Sequence, residues 1–166
     1  MGDTAERVLI VGIGNLLLGD EGLGVHVARA LLSADTMLPP SVEVIDAGTA
    51  LMEVLPQLVG YDRWIVVDAV RGGEEPGTIY RLDLRAELDA PDESTPLSLH
   101  QCDATDALRV AQVIGLLPSR IELIGAEPDR LDPGVELSPA LTRAAVAIVS
   151  LLVRETALPA SRGVGL

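Results

Sequence analysis

Phenylalanine, lysine and disulfide-forming cysteine pairs are all missing from this sequence, and each absence excludes a class of function. The chain has no Phe, one Trp and two Tyr, so it lacks the aromatic platforms on which single-stranded nucleic acids stack. All 12 basic residues are Arg, which excludes a phosphate-loop lysine and Schiff-base chemistry. The single cysteine, Cys102, cannot form an internal disulfide and fits a reducing compartment.

Long apolar runs are also missing, whereas negative charge is in excess. No apolar run reaches 18 residues and the first seven residues are polar and acidic, so we expect no membrane span and no signal peptide. A net charge of −13 disfavours nucleic acids and anionic membranes as partners. We therefore expect a cytoplasmic monomer, folded as one domain over residues 1–166, with its core at about residues 8–154 and a flexible tail at 155–166.

Hydrophobic periodicity predicts strands that alternate with helices. Apolar runs of four to eight residues are typical of buried parallel strands, and amphipathic segments are typical of helices that cover a sheet. Strands are predicted at residues 8–13, 42–49, 63–70, 78–84 and 121–126, helices at 22–33, 50–59, 103–116 and 138–154, and a mobile loop at 86–96. Asp103 and Ser138 are the predicted N-caps of the last two helices. This order predicts a three-layer α/β/α sandwich with a mostly parallel sheet and an edge strand at 78–84.

Acidic side chains follow three of the predicted strands. Asp20 and Glu21 follow the first strand within the segment GIGNLLLGDEGLG, Asp46 ends the second strand, and Asp68 ends the third. Ligand sites in such folds gather at the carboxyl ends of the strands, and His100, just before a helix, can reach the same edge. Carboxylates and an imidazole suit a divalent cation such as zinc or nickel, which would also offset the repulsion between Glu21 and Asp68.

Each of these carboxylates also has a purely structural interpretation, and spacing alone leaves both open. Asp20 is predicted to cap the following helix, Glu21 to interact with the dipole of that helix, and Asp46 to form an Asx-turn. Asp68 ends an apolar strand, where a buried carboxylate is costly, so it is the strongest site candidate on physical grounds. Asn15 is predicted to brace the loop through side-chain hydrogen bonds.

Two other kinds of site are disfavoured. Gly12 and Gly14 begin a G-x-G-x-x-G pattern, but Leu17 stands at the third glycine position and a pyrophosphate would face the two carboxylates of the loop. A thiol protease built from Cys102 and His100 is disfavoured because two residues of one short segment seldom reach the required geometry.

Four segments together resemble the hydrogenase maturation endopeptidases, which process the large subunit of nickel-iron hydrogenases. These segments are GIGNLLLGDEGLGVHVARAL, VEVIDAGTALMEVL, WIVVDAV and SLHQCDATDALRVAQVIG, in order between about Val8 and Arg154. The resemblance implies a compact α/β/α fold around a twisted five-stranded sheet. It also implies an activity, the removal of a C-terminal extension from the large-subunit precursor once nickel has been inserted.

The resemblance further implies which residues form the site. Glu21, Asp68 and His100 correspond to the metal ligands of the family, and Asp46 corresponds to an aspartate associated with activity or nickel recognition. Ala47 stands where many relatives have the first glycine of Asp-Gly-Gly-Thr.

Two mechanisms stay open at this point. The metal is either an ion of the protein's own, zinc-like or nickel, that activates water, or the nickel already carried by the precursor. Two alternatives to proteolysis also stay open: a chaperone that checks for nickel without cutting, and a nucleotide-binding α/β module.

Overall fold

Five strands form one sheet in the computed structural model, which describes residues 5–33, 35–89 and 104–157. The strands are β1 (Val8–Ile13), β2 (Val42–Gly48), β3 (Arg63–Ala69), β4 (Ile79–Asp83) and β5 (Arg120–Ala126). Their order in the sheet is β2-β1-β3-β5-β4, and all neighbouring pairs are parallel except β4 with β5. The predicted edge strand is therefore confirmed as the antiparallel β4.

Helices cover both faces of this sheet. They are α1 (Leu23–Leu31), α2 (Leu51–Val54), α3 (Leu84–Asp89), α4 (Thr105–Val113) and α5 (Pro139–Ala157). Apolar side chains of α1 and α5 pack against one face of the sheet, and those of α2, α3 and α4 pack against the other. The predicted three-layer sandwich is confirmed. None of the helices that the structure describes has the length and apolarity needed to span a membrane.

Burial on both faces explains the unbroken apolar runs of the central strands. All six residues of β1 are buried. Leu9 and Val11 enter the core beneath α2 and α4, whereas Val8 and Ile10 enter the core beneath α1 and α5. Because alternate side chains of a strand point to opposite faces, a strand in the middle layer needs apolar residues at every position.

The N-terminus of α5 is confirmed as predicted. Pro139 is its first residue, and the Ser138 Oγ accepts a hydrogen bond from the N–H of Leu141 at 3.3 Å. The proline costs nothing there, because the first N–H groups of a helix have no partner within the helix.

Two predicted elements are wrong in part. The helix predicted at 50–59 ends at Val54 and continues only as a 3-10 turn, Leu55–Gln57, because Pro56 cannot donate the next helical hydrogen bond. The loop predicted at 86–96 begins with helix instead, since Asp83 Oδ1 accepts the N–H groups of Arg85 and Ala86 at 2.9 and 3.1 Å. The rest of that loop and Asp103 lie outside the described residues, and the N-cap position of α4 is Ala104.

The strand order fixes where a ligand can bind. The chain leaves β1 through α1 on one face of the sheet and enters β3 from α2 on the other face. In open α/β sheets such a reversal opens a crevice at the carboxyl ends of the two strands. The crevice here lies beyond Ile13 and Ala69, next to the segment that holds Asp20 and Glu21.

Candidate functional site

Gly14 is the point at which two of the predicted site residues meet. It follows β1 with φ +134°, a conformation that favours glycine. A Cβ at this position would overlap the carbonyl oxygen of Glu21 and would lie 3.7 Å from the Oδ1 of Asp68. The backbone of Glu21 and the carboxylate of Asp68 therefore flank the same glycine.

Backbone segments approach one another closely at Gly24. A Cβ on Gly24 would overlap the carbonyl oxygens of Val67 and Ile13, and a Cβ on Gly12 would overlap the carbonyl oxygen of Gly24. The first turn of α1 thus rests directly on the backbones of β1 and β3. This contact brings the preceding 3-10 turn, Gly19–Gly22, to the edge of the crevice.

Asp20 does not cap α1, so the prediction for this residue is wrong. The cap residue is Gly22, with no side-chain cap bond. Asp20 is fully buried, and its carboxylate accepts the backbone N–H groups of Ser138 at 2.7 Å, Asp129 at 2.9 Å and Arg130 at 3.0 Å. Burial alone would raise the pKa of Asp20, but these hydrogen bonds together hold it below its ordinary value. The charged carboxylate ties the turn carrying Glu21 to the segment before α5.

Glu21 lies at the edge of the crevice and forms an ion pair. Its side chain is 20% exposed, and its Oε1 lies 3.1 Å from the Nη2 of Arg71. Arg71 is the second residue after β3, and its own side chain is 59% exposed. Arg71 was not predicted from the sequence, although it is the first basic residue after the strand that contains Asp68.

Asp68 is buried as predicted, with 3% of its surface exposed. Its Oδ1 accepts the N–H of Ala69 at 2.8 Å. The backbone of Asp68 pairs with Gly125 on β5, which places the carboxylate at the end of the central strand. Position and burial therefore agree with a role in the crevice.

Asp46 lies on the neighbouring strand and is held by two partners. It pairs with Gly12 in the register of β1 and β2. Its Oδ1 accepts the N–H of Gly48 at 3.2 Å, and its Oδ2 accepts the Nε–H of Arg29 on α1 at 3.0 Å. The predicted Asx-turn is confirmed, and a catalytic role for Asp46 stays a prediction.

Part of the predicted ligand set can be tested for its fit to a metal. His100 lies outside the described residues, as does Cys102, and within the described ranges no three His, Cys, Asp or Glu residues are grouped to hold a metal ion. Asp68 supplies a carboxylate oxygen beside Gly14, and the backbone carbonyl of Glu21 meets the same glycine. The carboxylate of Glu21 is in contact with a positive charge, the guanidinium of Arg71. These donors fit a divalent cation as two of its ligands.

Glu127, which the sequence reasoning also missed, fixes the turn that follows β3. This carboxylate is buried and accepts the N–H groups of Gly72 and Gly73 at 2.6 and 3.0 Å and the hydroxyl of Tyr80 at 2.6 Å. Burial and the bond to Glu127 raise the pKa of Tyr80 to about 12. Glu127 directly follows the apolar strand β5, so the cost of a buried carboxylate there marks it as a site candidate in the same way as Asp68.

Comparisons with known proteins agree with this architecture and with the resemblance in sequence. The family model described as hydrogenase maturation protease matches residues 25–155. The hydrogenase expression/formation protein HupD of Rhodobacter capsulatus is 38% identical over 154 residues, which cover 90% of this chain and 71% of that protein. The hydrogenase 2 maturation protease of Escherichia coli K12 is 34% identical over 158 residues, which cover 93% of this chain and 94% of that protein.

A solved structure gives the same result for the fold. The hydrogenase maturating endopeptidase HybD from E. coli superposes with a TM-score of 0.73 at 31% identity, covering 93% of this chain and 98% of that one. The predicted α/β fold and the predicted peptidase class are both confirmed. On its sequence, its fold and its matches, the chain belongs to the hydrogenase maturation protease family.

Proposed function

We propose that this chain is the endopeptidase that removes a C-terminal extension from the precursor of a nickel-iron hydrogenase large subunit after nickel insertion. Membership of the protease family supports the reaction class. The observation that supports the site is that the backbone of Glu21 and the carboxylate of Asp68 both lie against Gly14, in the crevice where α/β sheets bind their ligands. Two carboxylates there favour a cationic group on the substrate.

The nickel of the precursor is, in this proposal, part of the substrate. Glu21 and Asp68 contact it as oxygen ligands, and His100, beyond the described residues, is the proposed third ligand. Carboxylate and imidazole groups are suitable ligands for nickel, and a bound nickel ion would polarise a neighbouring carbonyl group. A precursor without nickel lacks the group that these residues recognise, so cleavage waits for nickel insertion.

Asp46 is the residue that we propose to act on the scissile peptide or on the attacking water. It lies at the same edge of the sheet, and Arg29 and the N–H of Gly48 hold its two carboxylate oxygens in place. Such fixed geometry is what a group that orients a reactant requires. The chain has no lysine nucleophile, and we propose direct attack by water without a covalent intermediate.

The test is cleavage of nickel-loaded and nickel-free precursor, followed by mass spectrometry. We expect the nickel-loaded precursor alone to lose its C-terminal peptide. Glu21→Gln should lower the rate by about 100-fold or more, the scale for a group that holds a reacting centre. The matched control is Glu6→Gln, because Glu6 also pairs with an arginine, Arg120, and its side chain is 23% exposed.

Two results would contradict the proposal. If the wild-type chain binds the nickel-loaded precursor but never shortens it, the protein is a chaperone that checks for nickel. If Glu21→Gln and Glu6→Gln cut equally fast, the crevice at Gly14 is not the site of recognition.

A further inference from the structure

Arg71 occupies the position of a cation beside a proposed nickel ligand. Its Nη2 lies 3.1 Å from the Oε1 of Glu21. The guanidinium therefore balances the charge of Glu21 before any metal arrives. This ion pair is the feature of the crevice that the proposed function does not explain.

The backbone that carries Arg71 is fixed, whereas its side chain is accessible. The buried carboxylate of Glu127 accepts the N–H groups of Gly72 and Gly73, the next two residues, and Gly73 has φ +85°, in the region that favours glycine. The Arg71 side chain is 59% exposed. Exposed ion pairs are weak, so this guanidinium can leave Glu21 without disturbing the turn.

We infer that Arg71 is a specificity-determining residue that competes with metal ions for Glu21. This inference rests on the proposed function. A divalent ion bound at Glu21 would lie a few ångströms from the guanidinium, where like charges repel. Free ions in solution must overcome that repulsion with few other contacts. Nickel that arrives within a precursor brings the contacts of the whole polypeptide, and these displace Arg71.

The experiment is a calorimetric titration of cadmium or nickel ions into the full chain without precursor. Arg71→Gln should bind the ion about tenfold more tightly than the wild type, because one positive charge beside a doubly charged ion is removed. Arg71→Lys keeps the charge and should stay within about threefold of the wild type. The gain of Arg71→Gln should shrink as salt is added, since the repulsion is screened.

The matched control is Arg120→Gln. Arg120 pairs with Glu6 at 2.9 Å, its side chain is 57% exposed, and it begins β5 at the opposite edge of the sheet. The variant loses the same formal charge, so it measures the effect of net charge alone. We expect its affinity for the ion to change by less than about twofold, because charges far apart in water are screened.

Several outcomes would overturn the inference. The first is that Arg71→Gln binds the ion no more tightly than the wild type does. The second is that Arg120→Gln gains as much affinity as Arg71→Gln, and the third is that no variant binds the ion. None of these depends on proteolysis. Cleavage of nickel-loaded precursor by the wild type decides the proposed function separately, so the two failures are distinguishable.

Discussion

Replacing Asp20 with asparagine tests how the turn that carries Glu21 is fixed to the rest of the fold. The buried carboxylate accepts three backbone N–H groups, two at Oδ2 and one at Oδ1. Asparagine keeps one oxygen and replaces the other with an NH2 group, which only donates. Even if the oxygen faces Asp129 and Arg130, the NH2 group then faces the N–H of Ser138.

The expected loss of stability in Asp20→Asn follows from these contacts. A hydrogen bond to a charged group contributes about 1.5–3 kcal/mol, and a buried donor without a partner costs about 1–3 kcal/mol. We therefore expect Asp20→Asn to lower the free energy of unfolding by about 3 kcal/mol, allowing for partial relaxation of the loop. In a domain of this size that corresponds to a decrease of about 10 °C in the melting temperature.

Urea unfolding at pH 7 measures this loss, with Glu21→Gln as the neighbouring control. The ion pair of Glu21 is partly exposed, so its loss should cost no more than about 1 kcal/mol. Equal losses in the two variants would refute the assignment of Asp20 as the anchor of the loop.

The dependence on pH gives a second check on Asp20. Its pKa in the folded protein is lowered, so its contribution to stability is present above the unfolded-state pKa of about 3.9. The contribution is lost as the pH falls through the lower, folded-state pKa. The difference in stability between the wild type and Asp20→Asn should therefore narrow below about pH 4, and a constant difference would contradict this account.

Three further predictions concern the sheet edge and the packing around it. Asp46→Asn should slow cleavage by about 100-fold or more, while its melting temperature should change by less than about 4 °C. Cleavage at the wild-type rate by the folded variant would leave Asp46 with only its turn-forming role. Gly24→Ala should prevent folding, because its Cβ would overlap backbone oxygens. Gly115→Ala, whose Cβ meets open space at φ +72°, should lower the free energy of unfolding by only about 1–2 kcal/mol. Equal urea midpoints for the two variants would contradict the packing argument. In an alkaline spectrophotometric titration, the ionisation step near pH 12 should be missing from Tyr80→Phe; if the variant keeps this step, the step belongs to another group. The hydrogen bond from Tyr80 to Glu127 should stabilise the wild type below about pH 10, and this stabilisation should be lost as the pH rises towards 12.

Most strands and helix ends could be predicted from the sequence, because they depend on residues that are close together in the chain. The apolar runs that became β1, β3 and β5 were predicted to within one or two residues at each end. Ser138 and Pro139 predicted the start of α5 correctly for the same reason. The prediction of α2 was too long because the apolar pattern outweighed Pro56, and α3 was missed because the acidic composition concealed the cap at Asp83.

The contacts that complete the site could not be predicted because they join distant parts of the chain. Asp20 bonds to Ser138, which lies 118 residues away, and Glu21 pairs with Arg71, which lies 50 residues away. A carboxylate just before a helix in the sequence can cap that helix or bond to a distant segment, and local spacing does not distinguish the two. The sequence therefore predicted the wrong partner for Asp20. The placement of the loop that holds Glu21 at the same edge as Asp68 was predictable, since parallel strands bring their carboxyl ends to one edge of the sheet.

The mass of a nickel-loaded large-subunit precursor, before and after incubation with the purified chain, is the most direct test of the central claim. We expect the wild type to remove the C-terminal peptide. We expect Asp68→Asn, with its fold verified by circular dichroism, to leave the mass unchanged. An unchanged mass with the wild type, or cleavage by Asp68→Asn at the wild-type rate, would contradict the account.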